Sequence, residues 1–240
     1  MNKDFIINKT MEKEDLFSPE VSEKARVLKK YAAGLFLRGI PFAINGYLRL
    51  GYYVAWYKLW EYARFLAYSE VKKGMRILDI GGAATLPVFY LSEMGCEVTS
   101  VDIDKKLVEY QDRVSRKKKW GLTGSSVDIC KNELPEEWGR FDIIISFCVI
   151  EHMEKQGQLK ALKSMAGALS PGGMMALTFD YGEGAKAVGS LRNLDEVKQL
   201  IRTTGLSTEG NSEFIDKKTR FMLGHRERAN YTFGSLFIRK

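Results

Sequence analysis

The sequence predicts an α/β fold in which a mostly parallel sheet with crossover helices follows a helical N-terminal segment. Three observations carry this expectation: strand and helix patterns alternate from Met75 onward, a small-residue turn, Gly81-Gly82, follows the first strand pattern, and helical spacing dominates before Ser69. The change of character between Ser69 and Gly74 sets two expected parts, a helical cap or lid over 1–70 and a ligand-binding domain over 71–240.

Ser18-Pro19-Glu20 is a helix start, with Ser as cap and Pro in the first turn, and Val21, Ala25, Leu28, Ala32 and Leu35 follow at helical spacing. Gly39, Pro41 and Asn45-Gly46 interrupt the pattern. Leu48, Tyr52, Ala55, Trp56, Leu59, Ala63 and Leu66 then line one face of an expected second helix, rich in aromatic residues. Its aromatic side chains, Tyr52, Tyr53, Trp56, Tyr57, Trp60 and Tyr62, read first as core packing and second as a lid over a ligand. Met75–Ile80 reads as a strand, Leu86–Met94 as a helix closed by Gly95, and Glu97–Val101 as the next strand, together a βαβ unit. Asp104 caps a helix to about Lys118, a short strand follows at Ser125–Val127, and Phe141–Ser146 is apolar enough for a buried strand. A helix carrying Leu159, Leu162, Met165, Ala166 and Leu169 stops at Ser170-Pro171-Gly172-Gly173, before the strand Met174–Phe179. The tail adds a helix over Leu194–Thr203, a polar stretch with room for one more strand, and a last strand over Tyr231–Ile238.

Composition narrows the functional classes. Of 240 residues 45% are apolar and 28% charged, so a sizeable core forms and disordered or collagen-like chains are excluded. Lys58, Glu61 and Arg64 interrupt the aromatic stretch, so no membrane span is expected. The opening residues, MNKDFIINKTMEKED, lack the apolar segment and cleavage site of a secretory signal, and the expected location is the cytoplasm. Three cysteines without metal-ligand spacing predict no metal site and no disulfide framework. The net charge of +7 includes a basic run, Arg116-Lys117-Lys118-Lys119, which reads first as cations at a helix C-terminus and second as a patch for an anionic substrate or nucleic acid.

The chemistry concentrates at strand ends. Leu78-Asp79-Ile80-Gly81-Gly82-Ala83-Ala84-Thr85 lets backbone approach a ligand at a helix start, and Asp102 ends the second strand 21 positions after Gly81, near the spacing at which a carboxylate meets a ribose diol. The pair implies an adenosine-type ligand. Ala83 and Thr85 stand where a dinucleotide-binding G-x-G-x-x-G pattern would place small turn residues, which weakens that reading.

These residues resemble the class I S-adenosylmethionine-dependent methyltransferases of small-molecule type, whose first motif has the form L-D-x-G-x-G-x-G and whose second strand ends in an acid. Further similarity lies in Asp128-Ile129 after the third strand, the F-D-x-(apolar) pattern of Phe141–Ser146, Glu151-His152, Pro171-Gly172-Gly173 and the terminal strand. The resemblance covers most of Met75–Lys240 and implies a Rossmann-like, seven-stranded, mostly parallel sheet with an antiparallel last strand. It also implies S-adenosyl-L-methionine as cofactor, with Asp79, Gly81 and Gly82 at its amino-acid end, Asp102 and Ile103 at its ribose, and Asp128 and Ile129 at its adenine. Ser146 and, from the cap, Tyr62 complete the implied cofactor set. Ala83 and Thr85 depart from the motif's second and third glycines and narrow the space beside the methionine part.

Ligands of such sheets sit outside carboxyl strand ends, which makes Glu151, His152, Asp180 and Tyr181 the candidates beside the acceptor. His152 is the leading base because its unperturbed pKa lies near neutrality, with Glu151 and Tyr181 as the other catalytic candidates. Arg220, His225, Arg226 and Arg228 offer an acidic substrate cationic partners, or form a solvated loop. The expected acceptor is a small metabolite, anionic or sugar-containing, since no nucleic-acid-reading module is present; a homodimer is compatible with the sequence. RNA or protein methylation, and a non-catalytic cofactor-binding subunit, remain the alternatives.

Overall fold

The computed structural model describes residues 6–220 and 231–240; Tyr231 opens the second stretch, while His225, Arg226 and Arg228 lie outside the described residues. In chain order the elements are β1 (Lys9–Thr10), α1 (Pro19–Leu37), β2 (Phe42–Ile44), β3 (Tyr47–Arg49), α2 (Trp56–Tyr68), β4 (Arg76–Ile80), α3 (Leu86–Glu93), β5 (Glu97–Val101), α4 (Lys105–Lys118) and β6 (Leu122–Ser125). They continue with β7 (Phe141–Phe147), α5 (Lys155–Ala168), β8 (Leu169–Tyr181), α6 (Leu194–Thr204), β9 (Ser207–Thr208) and β10 (Thr232–Arg239). Two units result, one of residues 13–128 and one of 1–12 with 129–240, so the N-terminal helices belong with the first parallel strands.

In the 13–128 unit, β4, β5 and β6 pair in parallel, with Asp79 beside Ser100 and Ser100 beside Gly124. Ile77, Leu78, Val98 and Val101 are buried, as continuous apolar parallel strands require. Asp104 caps α4 by accepting from the Lys106 and Leu107 amides at 2.9 and 3.2 Å. The basic run forms the last turn of α4 and closes on Lys119 in the left-handed region, which places its cations at the negative end of the helix dipole.

The expected second helix is shorter than its pattern suggested. Leu48 lies in a β2–β3 hairpin, Tyr52 and Tyr53 precede the helix, and α2 begins only at Trp56. Asn45 and Gly46 have φ of 49° and 78°, the positive pair that a tight hairpin turn demands, so the Asn-Gly signal reverses a strand here rather than breaking a helix. Within α2, Trp60 is buried and donates to Asp15 Oδ2 at 2.7 Å. The Arg64 guanidinium lies 5.0 and 5.1 Å from the Trp60 and Tyr68 rings and pairs with Asp15 at 3.7 Å. These contacts make much of the aromatic helix a packing element.

In the other unit, β7 and β8 are parallel, and β10 runs antiparallel to β8 from Thr232↔Tyr181 to Arg239↔Met174. Two-residue strands β1 and β9 pair antiparallel with β10; β1 has no counterpart in the sequence reading, and β9 is the extra tail strand. Pro171-Gly172-Gly173 falls inside β8 rather than before it. The register slips there, from Phe141↔Leu169 to Ile143↔Met174, and Gly172 takes φ of 74°, so the segment is an irregularity within one long strand. The fold is α/β and Rossmann-like, with a mostly parallel sheet and an antiparallel last strand. Among the described residues no helix is long and apolar enough to cross a membrane.

Candidate functional site

The turn after β4 is built around a buried carboxylate. Asp79 Oδ2 accepts from the Ser100 hydroxyl at 2.7 Å and from the Gly82 amide at 3.1 Å. Burial raises its pKa to about 7; the Ser100 hydrogen bond opposes that rise and the nearby Asp102 charge adds to it. Gly82 is required by contact rather than by its dihedral, because a Cβ there would stand 2.3 Å from Asp79 Oδ1. Gly81, at φ of 75°, turns the chain out of the strand while its amide donates to Val101 O at 2.6 Å.

Asp102 accepts from the Ala83 amide at 3.2 Å through Oδ2 and from the Asp104 amide at 2.9 Å through Oδ1. Desolvation raises its pKa and the amide hydrogen bonds restrain the rise. A carboxylate has about four lone-pair positions, so acceptor capacity remains for a diol. Ile103, beside it, is 76% exposed, an apolar surface suited to a flat ring. The bend is fixed on both sides of Ala84, whose amide donates to Gln111 Oε1 at 2.9 Å and whose carbonyl accepts from the Ala43 amide at 2.7 Å. Ala84 takes φ of 61°, uncommon for a residue with a Cβ, and these two bonds hold it there. Asp128 is half-buried where this unit ends, and Tyr62 is buried within α2.

The 129–240 unit has a second concentration of polar groups at its strand ends. Cys148 follows β7 at φ of 55°, its amide donating to Thr178 O at 3.0 Å and to Thr178 Oγ1 at 3.1 Å. That bend leads into the helical turn Ile150–His152, where Glu151 is buried. The Cys148 sulfur and one carboxylate oxygen each of Glu151 and Asp180 lie within 4.8 Å of one another. The Tyr231 hydroxyl donates to Asp180 Oδ1. Burial, the Asp180 charge and that hydrogen bond hold the Tyr231 hydroxyl far above the usual tyrosine range, so it stays a donor. One thiol and two carboxylates are a set that accepts protons or a cation.

The candidate catalytic residues separate. Glu151 lies in this group, whereas His152 is exposed one residue on. Tyr181 is buried elsewhere: its ring packs on Phe214 at 5.4 Å, and the Arg220 guanidinium, itself paired with Asp216 at 2.9 Å, lies 5.5 Å from it. Consecutive strand residues face opposite sides of a sheet, which puts Asp180 rather than Tyr181 beside Glu151. Ile129 is buried, and the Ser146 hydroxyl is buried without a partner among the described residues. Sequence reasoning assigned no role to Ser100, Gln111, Cys148 or Tyr231; the hydrogen bonds of Ser100 and Gln111 to the bend, and the place of Cys148 and Tyr231 beside Asp180, reveal them.

Residues 77–173 match a family model described as a methyltransferase domain. The match covers less than half of the chain and makes this stretch similar to a methyltransferase domain. Over 104 residues, 43% of the chain, it is 31% identical to a ubiquinone biosynthesis O-methyltransferase of Caulobacter sp. (strain K31), and the match spans 40% of that relative's length. The [4+2]-cyclase SpnF superposes with a TM-score of 0.61 at 16% identity, covering 90% of this chain and 96% of its own. A TehB-like SAM-dependent methyltransferase from Corynebacterium glutamicum gives 0.55 at 18% identity, covering 90% and 97%. Both structures share the fold of this chain.

Proposed function

We propose that the chain is an S-adenosylmethionine-dependent methyltransferase acting on an O, N or C atom of a small metabolite. The observation that carries this reading is the Asp102 carboxylate, pinned at the end of β5 by the amide of Ala83 in the small-residue turn. The turn supports the cofactor reading: Asp102 keeps acceptor capacity for ribose hydroxyls and Ile103 offers an open apolar surface. Asp79, Gly81 and Gly82 would serve its amino-acid end, Asp128 and Ile129 its adenine, and Ser146 would contribute its unpartnered hydroxyl. Tyr62 of α2 would add a contact from the N-terminal helices. Bound, S-adenosylmethionine supplies an electrophilic methyl group on a cationic sulfur.

The acceptor must present an electron pair, and a hydroxyl or ammonium acceptor must also lose a proton. Glu151 and Asp180 are the groups suited to take it, with Tyr231 orienting Asp180. Two carboxylates repel an anionic acceptor, so this cluster favours a hydroxyl-bearing, sugar-like or amine acceptor over an anionic one. His152, being exposed, is assigned no proton transfer.

Titration calorimetry with S-adenosylmethionine and its demethylated product tests the first half. Asp102→Ala is expected to weaken both by about 1–3 kcal/mol through lost charge-assisted hydrogen bonds. Unchanged affinity removes Asp102 from the site. A methyl-transfer screen over hydroxyl- and amine-bearing metabolites, with tRNA as a comparison, tests the second half. Turnover confined to tRNA replaces the small-molecule reading, and binding without turnover on any acceptor supports a non-catalytic subunit.

A further inference from the structure

Large apolar side chains are unevenly exposed in this chain. Of twelve exposed ones among the described residues, seven fall between 36 and 53: Phe36, Leu37, Tyr47, Leu48, Leu50, Tyr52 and Tyr53. They are concentrated in one short stretch of chain, and the Phe36 ring at the end of α1 meets the Tyr52 ring at 5.6 Å. Scattered exposed residues need no explanation, whereas a concentrated apolar surface marks an interaction site.

Two further observations select the occupant. Residues 36–57 contain Arg38 and Arg49 and no Asp or Glu. Arg38 is paired with Glu93 at 2.7 Å, whereas the exposed Arg49 side chain makes no ion pair or hydrogen bond among the described residues. The patch therefore presents aromatic and aliphatic groups around a positive charge, the complement of an anionic lipid headgroup layer. In addition, all three residues of β3 are exposed, although Tyr47 and Arg49 point to one side of the ribbon and Leu48 to the other. A protein partner laid on one side leaves the other wet, whereas immersion in a headgroup layer covers both.

We propose that the β2–β3 hairpin, with Phe36, Leu37, Leu50, Tyr52 and Tyr53, is a docking element for an anionic lipid surface. The element is anchored, not loose. The Ala43 amide donates to Ala84 O at 2.7 Å, and the Pro41 carbonyl accepts from the Tyr110 hydroxyl at 2.8 Å, so the hairpin projects from the small-residue turn itself. Docking of this kind is peripheral, with the apolar groups entering the headgroup layer. It stands independently of the methyl acceptor.

Sedimentation of the full chain with vesicles of phosphatidylcholine, with or without 30 mol% phosphatidylglycerol, tests the proposal. At least tenfold stronger partition into the anionic vesicles is expected. The triple variant Tyr47→Ser, Leu48→Ser, Leu50→Ser is expected to lose at least tenfold of that partition. Arg49→Glu is expected to lose at least fivefold, in line with about 1 kcal/mol for each cation near such a surface. Thermal unfolding and cofactor titration of both variants establish that the rest of the molecule is intact. Partition equal for both vesicle types overturns the proposal. So does partition undiminished in the triple variant, which would trace it to the overall charge of +7. A lipid-free dimer that the same substitutions dissociate assigns the patch to a second copy and overturns the proposal as well.

Discussion

The two concentrations of carboxylates in this molecule are built on opposite plans. Around the turn after β4, Asp79 and Asp102 take their hydrogen bonds from Ser100 and from the amides of Gly82, Ala83 and Asp104, donors fixed by the backbone of the bend and of the adjoining strand. At the ends of β7 and β8, Glu151 and Asp180 are gathered with a thiol and a phenol whose own burial keeps it protonated. The first plan uses the carboxylates as fixed acceptors, positioned before any ligand arrives. The second places proton-accepting groups beside one another in a buried setting, where their charge is sensitive to whatever enters.

The difference is broken most directly by substitution at the second group. Glu151→Gln and Asp180→Asn are expected to lower turnover by about 10²–10⁴-fold, the range for a positioned base, while cofactor affinity moves less than threefold. His152→Ala is expected to stay within threefold of the parent. A large loss at His152 with none at Glu151 and Asp180 would reverse the assignment. At the first group the sensitive position carries no charge. Gly82→Ala places a Cβ 2.3 Å from Asp79 Oδ1, and either the bend or the buried carboxylate must move. The expected cost is about 1–3 kcal/mol in stability by urea unfolding, with a cofactor affinity loss of similar size. Retained stability and affinity would show that the bend has slack.

The two plans were not equally readable from sequence. Asp79, Gly81, Gly82 and Asp102 lie within one βαβ unit, where strand, turn and helix follow each other and spacing alone places the groups. Glu151, Asp180 and Tyr231 come from three separate segments, and Cys148 adopts a left-handed backbone that no local pattern announced. Spacing along the chain ranks His152 with Glu151 and Tyr181 with Asp180; only alternation at a strand end and the short helical turn separate each pair. The hairpin shows the converse error. Leu48, Tyr52 and Ala55 fit a helical period by chance, while the Asn45-Gly46 pair held the stronger local information.

A charge-sensitive measurement sharpens the comparison from the first group's side. The folded Asp79 carboxyl titrates near 7, above its ordinary value, so the unfolded chain releases this proton first. Its contribution to stability is therefore present at pH 4 and lost as pH rises toward 7. A ligand ammonium beside Asp79 requires the ionised form, so cofactor affinity is expected to fall up to about tenfold per pH unit below 7. Asp79→Asn is expected to flatten both profiles. A wild-type affinity constant between pH 5.5 and 8 would place Asp79 away from the cofactor's cation.

The smallest expected effect isolates one hydrogen bond of the first plan. Ser100→Ala removes the donor 2.7 Å from Asp79 Oδ2 and leaves the Gly82 amide in place. Loss of a hydrogen bond to a charged group costs about 1.5–3 kcal/mol, but near pH 7 Asp79 is only partly ionised, so about 1 kcal/mol is expected. The same change removes the larger of the two hydrogen bonds that lower the Asp79 pKa, and the pH at which cofactor affinity begins to fall should move upward. A neutral Asp79 that donates to a ligand, rather than attracting its charge, predicts the opposite: affinity in the Ser100→Ala variant would rise slightly at pH 7. Measuring affinity at pH 6, 7 and 8 in parent and variant distinguishes a preset acceptor from a protonation-dependent donor.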